Sequence, residues 1–198
     1  MYTWSLFNQP LVDAYGWERT EVYTAYSLIV FIFALVTIFS GRLQDKIGPR
    51  KVATIGILLF SAGLIVASFA RSLPLLYFGY SVLGGIGVGM VYVCPLSTSL
   101  KRYPKKKGMV TGIIVGAFGL GGFVFNFVLS YLIETIGVSP TFLVQGLVYA
   151  VIGLIGAQML KIPEGSANKE NILVNENDFE TRQMLKTRSF YLCGSYIL

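Results

Sequence analysis

The sequence predicts an all-α membrane protein, a bundle of helices each long enough to cross a bilayer. Three observations carry this reading. Only 13% of the 198 residues are charged and 54% are hydrophobic, where soluble domains of this size run near about 25% charged. Five apolar runs reach spanning length. The cations between those runs fall almost wholly on alternate connections.

A bilayer core about 30 Å thick needs about 20 apolar residues in helical form. Residues 1–11 read as the outer part of a first, incomplete helix, and full spans follow at 20–40, 52–70, 73–100, 109–133 and 141–160. None of the five holds Lys, Arg or Asp; one such residue at mid-depth would cost about 2.5–3.5 kcal/mol on insertion. Trp4 and Trp17 are expected as interfacial anchors near the outer boundary. Residues 161–188 turn polar, with five acids and five bases, and read as a linker. Residues 189–198 begin another apolar run. The expected domains are therefore a transmembrane bundle at 1–160, a cytoplasmic linker at 161–188 and the start of a seventh helix at 189–198. A gene extending past both ends is expected, by about 20 residues upstream and about six helices downstream.

Charge sets the expected orientation. Arg42, Lys46, Arg50 and Lys51 follow the second helix. Lys101, Arg102, Lys105, Lys106 and Lys107 follow the fourth, and Lys161, Lys169, Arg182, Lys186 and Arg188 follow the sixth. The opposite connections hold only Arg19 and Arg71, so fourteen of sixteen cations share one side. By the positive-inside rule that side is cytoplasmic, along with the N-terminus and the linker. The same blockwise arrangement argues against a nucleic-acid footprint despite the net charge of +6.

Several chemistries drop out. There is no histidine, which removes histidine triads, paired-histidine zinc sites and histidine proton relays. Cys94 and Cys193 have no partner at metal-ligand or redox spacing and read as packing residues. No catalytic acid, thiol–base pair or metal cluster lies in the helices, so no enzyme, metal or cofactor is expected. Gly85, Gly87 and Gly89, like Gly119, Gly121 and Gly122, mimic nucleotide-binding turns but lie inside apolar helices with no preceding strand. Small residues there let helix backbones approach. Gly112 and Gly116 on the fifth helix fit the same account, and only half-resemble the antiporter motif of drug exporters, which has proline where Ala117 stands.

The connection from Gly41 to Lys51 is the most informative segment. Gly48 suits a backbone conformation closed to other residues, and Pro49 suits the first turn of a helix. Asp45 is its one carboxylate, placed to pair with Arg42, Lys46, Arg50 or Lys51, or with a helix N-terminus. The full spacing of Gly41, Leu43, Asp45, Lys46, Gly48 and Arg50 resembles the signature loop of the major facilitator superfamily. A finer resemblance joins it. Tyr2 to Phe7 with Pro10, Gly16 and Trp17 is similar to the first helix and outer loop of the oxalate/formate antiporter family. Gly84 to Tyr92 with Arg102, Tyr103, Pro104 and Gly108 is similar to its fourth helix and inner loop. Asp178, Phe179 and the stretch 184–190 resemble its linker and the base of its seventh helix. The resemblance implies the N-terminal six-helix bundle of a twelve-helix major facilitator fold, truncated at both ends. It further implies a secondary transporter of small carboxylates (oxalate, formate, lactate or pyruvate) working by alternating access, with Gly41, Asp45, Gly48 and Arg50 as a conformational gate. A drug or sugar carrier of the same superfamily and a non-transporting sensor are the alternatives.

Substrate sites in such carriers lie near mid-membrane between two halves. At about 1.5 Å per residue, Tyr2, Tyr92, Phe118 and Tyr149 all fall about 12–15 Å from a span's edge. Pro95 is expected to bend the fourth helix beside Tyr92. The family's aromatic cavity residues match Tyr2, Tyr92 and Phe118; the oxalate transporter carries tyrosine where Phe118 stands, so a hydroxyl is missing here. Tyr149 is a candidate on depth alone. An anionic substrate needs a cation, and the apolar spans hold none. The resemblance places that cation in the missing C-terminal half, so residues 1–198 alone are not expected to transport.

Overall fold

The computed structural model describes residues 3–160, and among these there is no strand. Six helices follow in order: α1 Ser5–Tyr15, α2 Arg19–Ile47, α3 Pro49–Ser68, α4 Leu73–Arg102, α5 Lys107–Ile136 and α6 Val138–Met159. The last five are long and apolar enough to cross a membrane, in agreement with the five spans read from sequence. The expected linker at 161–188 and the seventh helix lie outside the described residues.

Local chemistry sets the turns. Gly48 has φ +89° and Gly137 φ +84°, positive angles that disfavour a side chain, and each separates two helices by a single residue. Pro49 takes the first position of α3, where its missing N–H costs nothing. At the start of α2, Glu18 and Glu21 form a reciprocal capping box that satisfies two otherwise orphaned amides. The first helix, read from sequence over residues 1–11, runs through Pro10 to Tyr15 and ends at Gly16 with φ +68°. Pro95 lies inside the α-helical stretch Gly84–Arg102. The same helix carries a π-helical segment, Tyr77–Leu83.

That segment approaches α3 closely. A Cβ on Gly63 would lie 2.5 Å from the carbonyl oxygen of Gly79 and 2.9 Å from the nitrogen of Gly84. Further along, a Cβ on Gly87 would lie 2.5 Å from the Phe60 nitrogen and 2.6 Å from the Gly56 carbonyl oxygen. The other side of α4 lies on α2, where added atoms at Gly85 and Gly89 would each come within 2.9 Å of Ile32 and Val36. Glycine thus lets α4 wedge between two neighbours, as small residues do in membrane bundles.

The α2–α4 pair runs parallel in one register. The Tyr77 hydroxyl donates to the Glu21 carbonyl at 2.9 Å, Ser81 Oγ to the Ala25 carbonyl at 2.7 Å, and Lys101 Nζ to Asp45 Oδ1 at 3.1 Å, all at a separation of 56 residues. From Tyr77 to Lys101 this spans about 36 Å, the full depth of a bilayer core.

Half of the apolar window of α3 is buried, against 6% of that of α5. So α3 is central and α5 peripheral. Among the described residues no helix approaches the α5 glycines: nothing lies within 4 Å of an added Cβ at Gly112, Gly116, Gly119 or Gly121. The bundle core gathers Phe7, Leu11, Val22, Ile29, Leu64, Leu76 and Phe142. Trp4 belongs to it as well. It is only 3% exposed and its ring stacks on Tyr80 at 4.1 Å, so it is a core residue and not an interfacial anchor. Trp17 is half-buried and stacks on Tyr15 at 4.7 Å.

Candidate functional site

The mid-depth aromatics separate into two groups. Tyr92 on α4 is half-buried; its ring centroid lies 5.5 Å from Phe33 of α2 and 5.3 Å from Phe118 of α5. Register accounts for this. Phe33 is near the centre of the 29-residue α2, while Tyr92 and Phe118 lie ten and eleven residues from the basic ends of their helices, about 15–17 Å. Three helices therefore bring one ring each to the same level, and Phe118 remains 36% exposed. The result is an aromatic wall at an open edge of the bundle, carrying one phenolic hydroxyl.

Tyr149 on α6 joins a different set. Its ring meets Phe60 at 5.7 Å and Phe125 at 5.0 Å, with no ring contact to Tyr92 or Phe118 among the described residues. It lines a small cavity with Thr3, Trp4, Tyr80, Phe142 and Gln145. The cavity volume is about 30 Å³, room for about one water. Two buried polar atoms at this cavity, Trp4 Nε1 and Gln145 Oε1, have no hydrogen-bond partner among the described residues. Sequence reasoning missed this polar pocket because its lining comes from α1, α3, α4 and α6. Gln145, a polar residue within an apolar span, was the available signal. Tyr2, the remaining cavity candidate, lies outside the described residues.

The signature loop sits at the basic end of the bundle, tied to two neighbours. Asp45 accepts from Lys101 of α4 at 3.1 Å, and Arg50 Nη2 donates to the Gln158 carbonyl at 3.0 Å on α6. Asp45 thus pairs with a cation from another connection, not with Arg42, Lys46, Arg50 or Lys51 of its own. The parallel α2–α4 register decides that choice. With Asp45 61% and Lys101 32% exposed, the pair contributes about 0–1 kcal/mol to stability. Its effect is to hold two connections in one arrangement. Gly48 supplies the turn, while an added Cβ at Gly41 would meet nothing within 4 Å. Among the described residues no group of acids, cysteines or histidines could hold a metal.

Five spans with all their turns and a signature loop braced on the fourth and sixth helices now have their counterpart in known proteins. The chain matches the Major Facilitator Superfamily over residues 1–198. It belongs to that superfamily. The arrangement fits an N-terminal fragment of the superfamily's fold, and the protein is a multi-pass membrane protein. The superfamily consists of transporters, not enzymes.

The chain is 31% identical over 191 residues to an oxalate:formate antiporter from Oxalobacter formigenes, covering 96% of this chain and 46% of that protein. It is 27% identical over 191 residues to monocarboxylate transporter 7 from Homo sapiens, covering 94% of this chain and 36% of that one. Apicoplast pyruvate carrier 1 from Toxoplasma gondii is 29% identical over 148 residues, at 63% and 27% coverage. The chain spans less than half the length of these curated relatives.

Proposed function

We propose that the full-length protein is a secondary active transporter of small organic carboxylates that works by alternating access in the cell membrane. In this reading the basic connections, the N-terminus and residues 161–188 are cytoplasmic, and the linker joins two six-helix halves. The carrying observation is the ring group of Phe33, Tyr92 and Phe118, converging from three helices at mid-depth beside an open edge. Flat aromatic walls suit flat carboxylates, and the Tyr92 hydroxyl can donate to one carboxylate oxygen. The antiporter, monocarboxylate and pyruvate names of the relatives support the same substrate class.

An unpaired carboxylate at mid-membrane is costly, and the five spans contain no Lys, Arg or His at that depth. The cation therefore comes from the rest of the transporter, the second half that the length of the relatives implies. Gly41, Asp45, Gly48 and Arg50 serve as the gate, since both bonds that brace their loop, Asp45–Lys101 and Arg50–Gln158, must adjust if helices rock at that end. Exchange of labelled oxalate, formate, lactate and pyruvate by the full-length protein in liposomes tests the reading. We expect saturable exchange of at least one of them. Tyr92→Ala should raise its KM about tenfold or more, as losing a good charge-assisted hydrogen bond would, while Tyr77→Ala should leave KM near the parent value. Exchange of none of the four, or a larger KM change at Tyr77, would overturn it.

A further inference from the structure

The outward face of α2 has a composition the transport reading does not use. Phe31, Leu35, Ile38, Arg42 and Lys46 recur at helical spacing and fall on one stripe. The three apolar members are 60%, 44% and 63% exposed, and both cations are exposed. The nearest carboxylate, Asp45, is taken by Lys101 at 3.1 Å, the one ion pair among the described residues. Among the described residues the cations at the end of the stripe therefore face no neutralising group. Arg102, Lys105, Lys106 and Lys107 at the same end of the bundle add to the positive potential.

Length matters as much as charge. From Phe31 to Lys46 is fifteen residues, about 22 Å, and one leaflet with its headgroup layer is about 20–22 Å deep. The stripe is apolar over the depth of acyl chains and cationic where phosphates lie. We propose that this face binds one anionic phospholipid, with Arg42 and Lys46 on the headgroup phosphate and Phe31, Leu35 and Ile38 along an acyl chain. A protein partner would have to bring carboxylates to the same depth, whereas the leaflet already supplies phosphates there.

The test is native mass spectrometry of the full-length protein in detergent, titrated with phosphatidylglycerol or phosphatidylcholine of identical acyl chains. Inorganic phosphate is added in a third arm. We expect phosphatidylglycerol to bind about tenfold or more tightly than phosphatidylcholine, given about fivefold per engaged cation. R42Q and K46Q should each weaken phosphatidylglycerol about fivefold, and the double substitution more. R42K should retain binding, which separates lost charge from lost folding. Seven other cations keep the positive bias at that end in the double variant. Equal binding of the two lipids would overturn the proposal. So would displacement of the lipid by millimolar inorganic phosphate, or absence of any adduct because the rest of the transporter covers this face.

Discussion

Helices α4 and α5 carry similar runs of glycine and use them in opposite ways. In α4, Gly79 and Gly87 face the α3 backbone, while Gly85 and Gly89 face α2; every one of these positions is occupied to within 3 Å of where a Cβ would be. In α5, Gly112, Gly116, Gly119 and Gly121 face empty space. Both helices are 30 residues long and apolar enough to cross a membrane. The difference lies in what surrounds them. α4 sits between two helices, whereas α5 touches the described bundle along a narrow edge, through residues such as Phe125 and Leu129. A glycine run in a membrane helix is thus a capacity for close approach, realised only when a partner helix is there.

The sharpest way to break this contrast is at Gly87. Gly87→Ala places a methyl group 2.5–2.6 Å from backbone atoms of α3, which cannot step aside as a side-chain tip can. We expect a loss near the upper end of overpacking effects, about 3 kcal/mol, read as lowered thermal unfolding of the full-length protein in detergent. An unchanged unfolding temperature would mean that α3 and α4 are farther apart than described. Next comes the α2–α4 register. Ser81→Ala removes the bond to the Ala25 carbonyl and should cost about 0.6 kcal/mol, up to about 1.7. A double-mutant cycle with Gly85→Ala should show coupling, since both positions sit on one contact.

Asp45→Asn should change stability by less than about 1 kcal/mol, because the pair is exposed. Its effect belongs to rate: the brace between the two basic connections is lost and exchange should slow while KM holds. Normal exchange rates would remove Asp45 from the gate. The smallest effect is expected at Gly116→Ala. With nothing to meet, the methyl group gains only helix propensity, a stabilisation of at most about 1 kcal/mol. A clear loss at Gly116 in the full-length protein would show that chain outside residues 3–160 covers the α5 face, turning the contrast into a difference of partner.

The five spans, the turn at Gly48 and the one-sided cations were legible because each depends on residues close in sequence. Transfer free energy adds up along a helix, and a turn needs only its own glycine and proline. Depth grouped Tyr92 with Phe118, whose rings meet at 5.3 Å, since rise per residue places a ring along the membrane normal. Depth says nothing of rotation or neighbours. It therefore grouped Tyr149 with them, although that ring packs on Phe60 and Phe125, and it left Phe33 unnoticed. Trp4 was misplaced for the related reason that an indole near a helix end suits an interface or a core equally well. Its stacking on Tyr80 decides between them.

By itself, then, the sequence determined that residues 3–160 hold five helices long and apolar enough to cross a membrane, and which connections between them are basic. The tertiary structure decided which glycines are docked, which cation Asp45 holds and which rings meet at mid-depth. The physical reason is that burial in lipid is a property of one helix at a time. A contact depends on the register and rotation of two, and here the shared register of α2 and α4 supplied it.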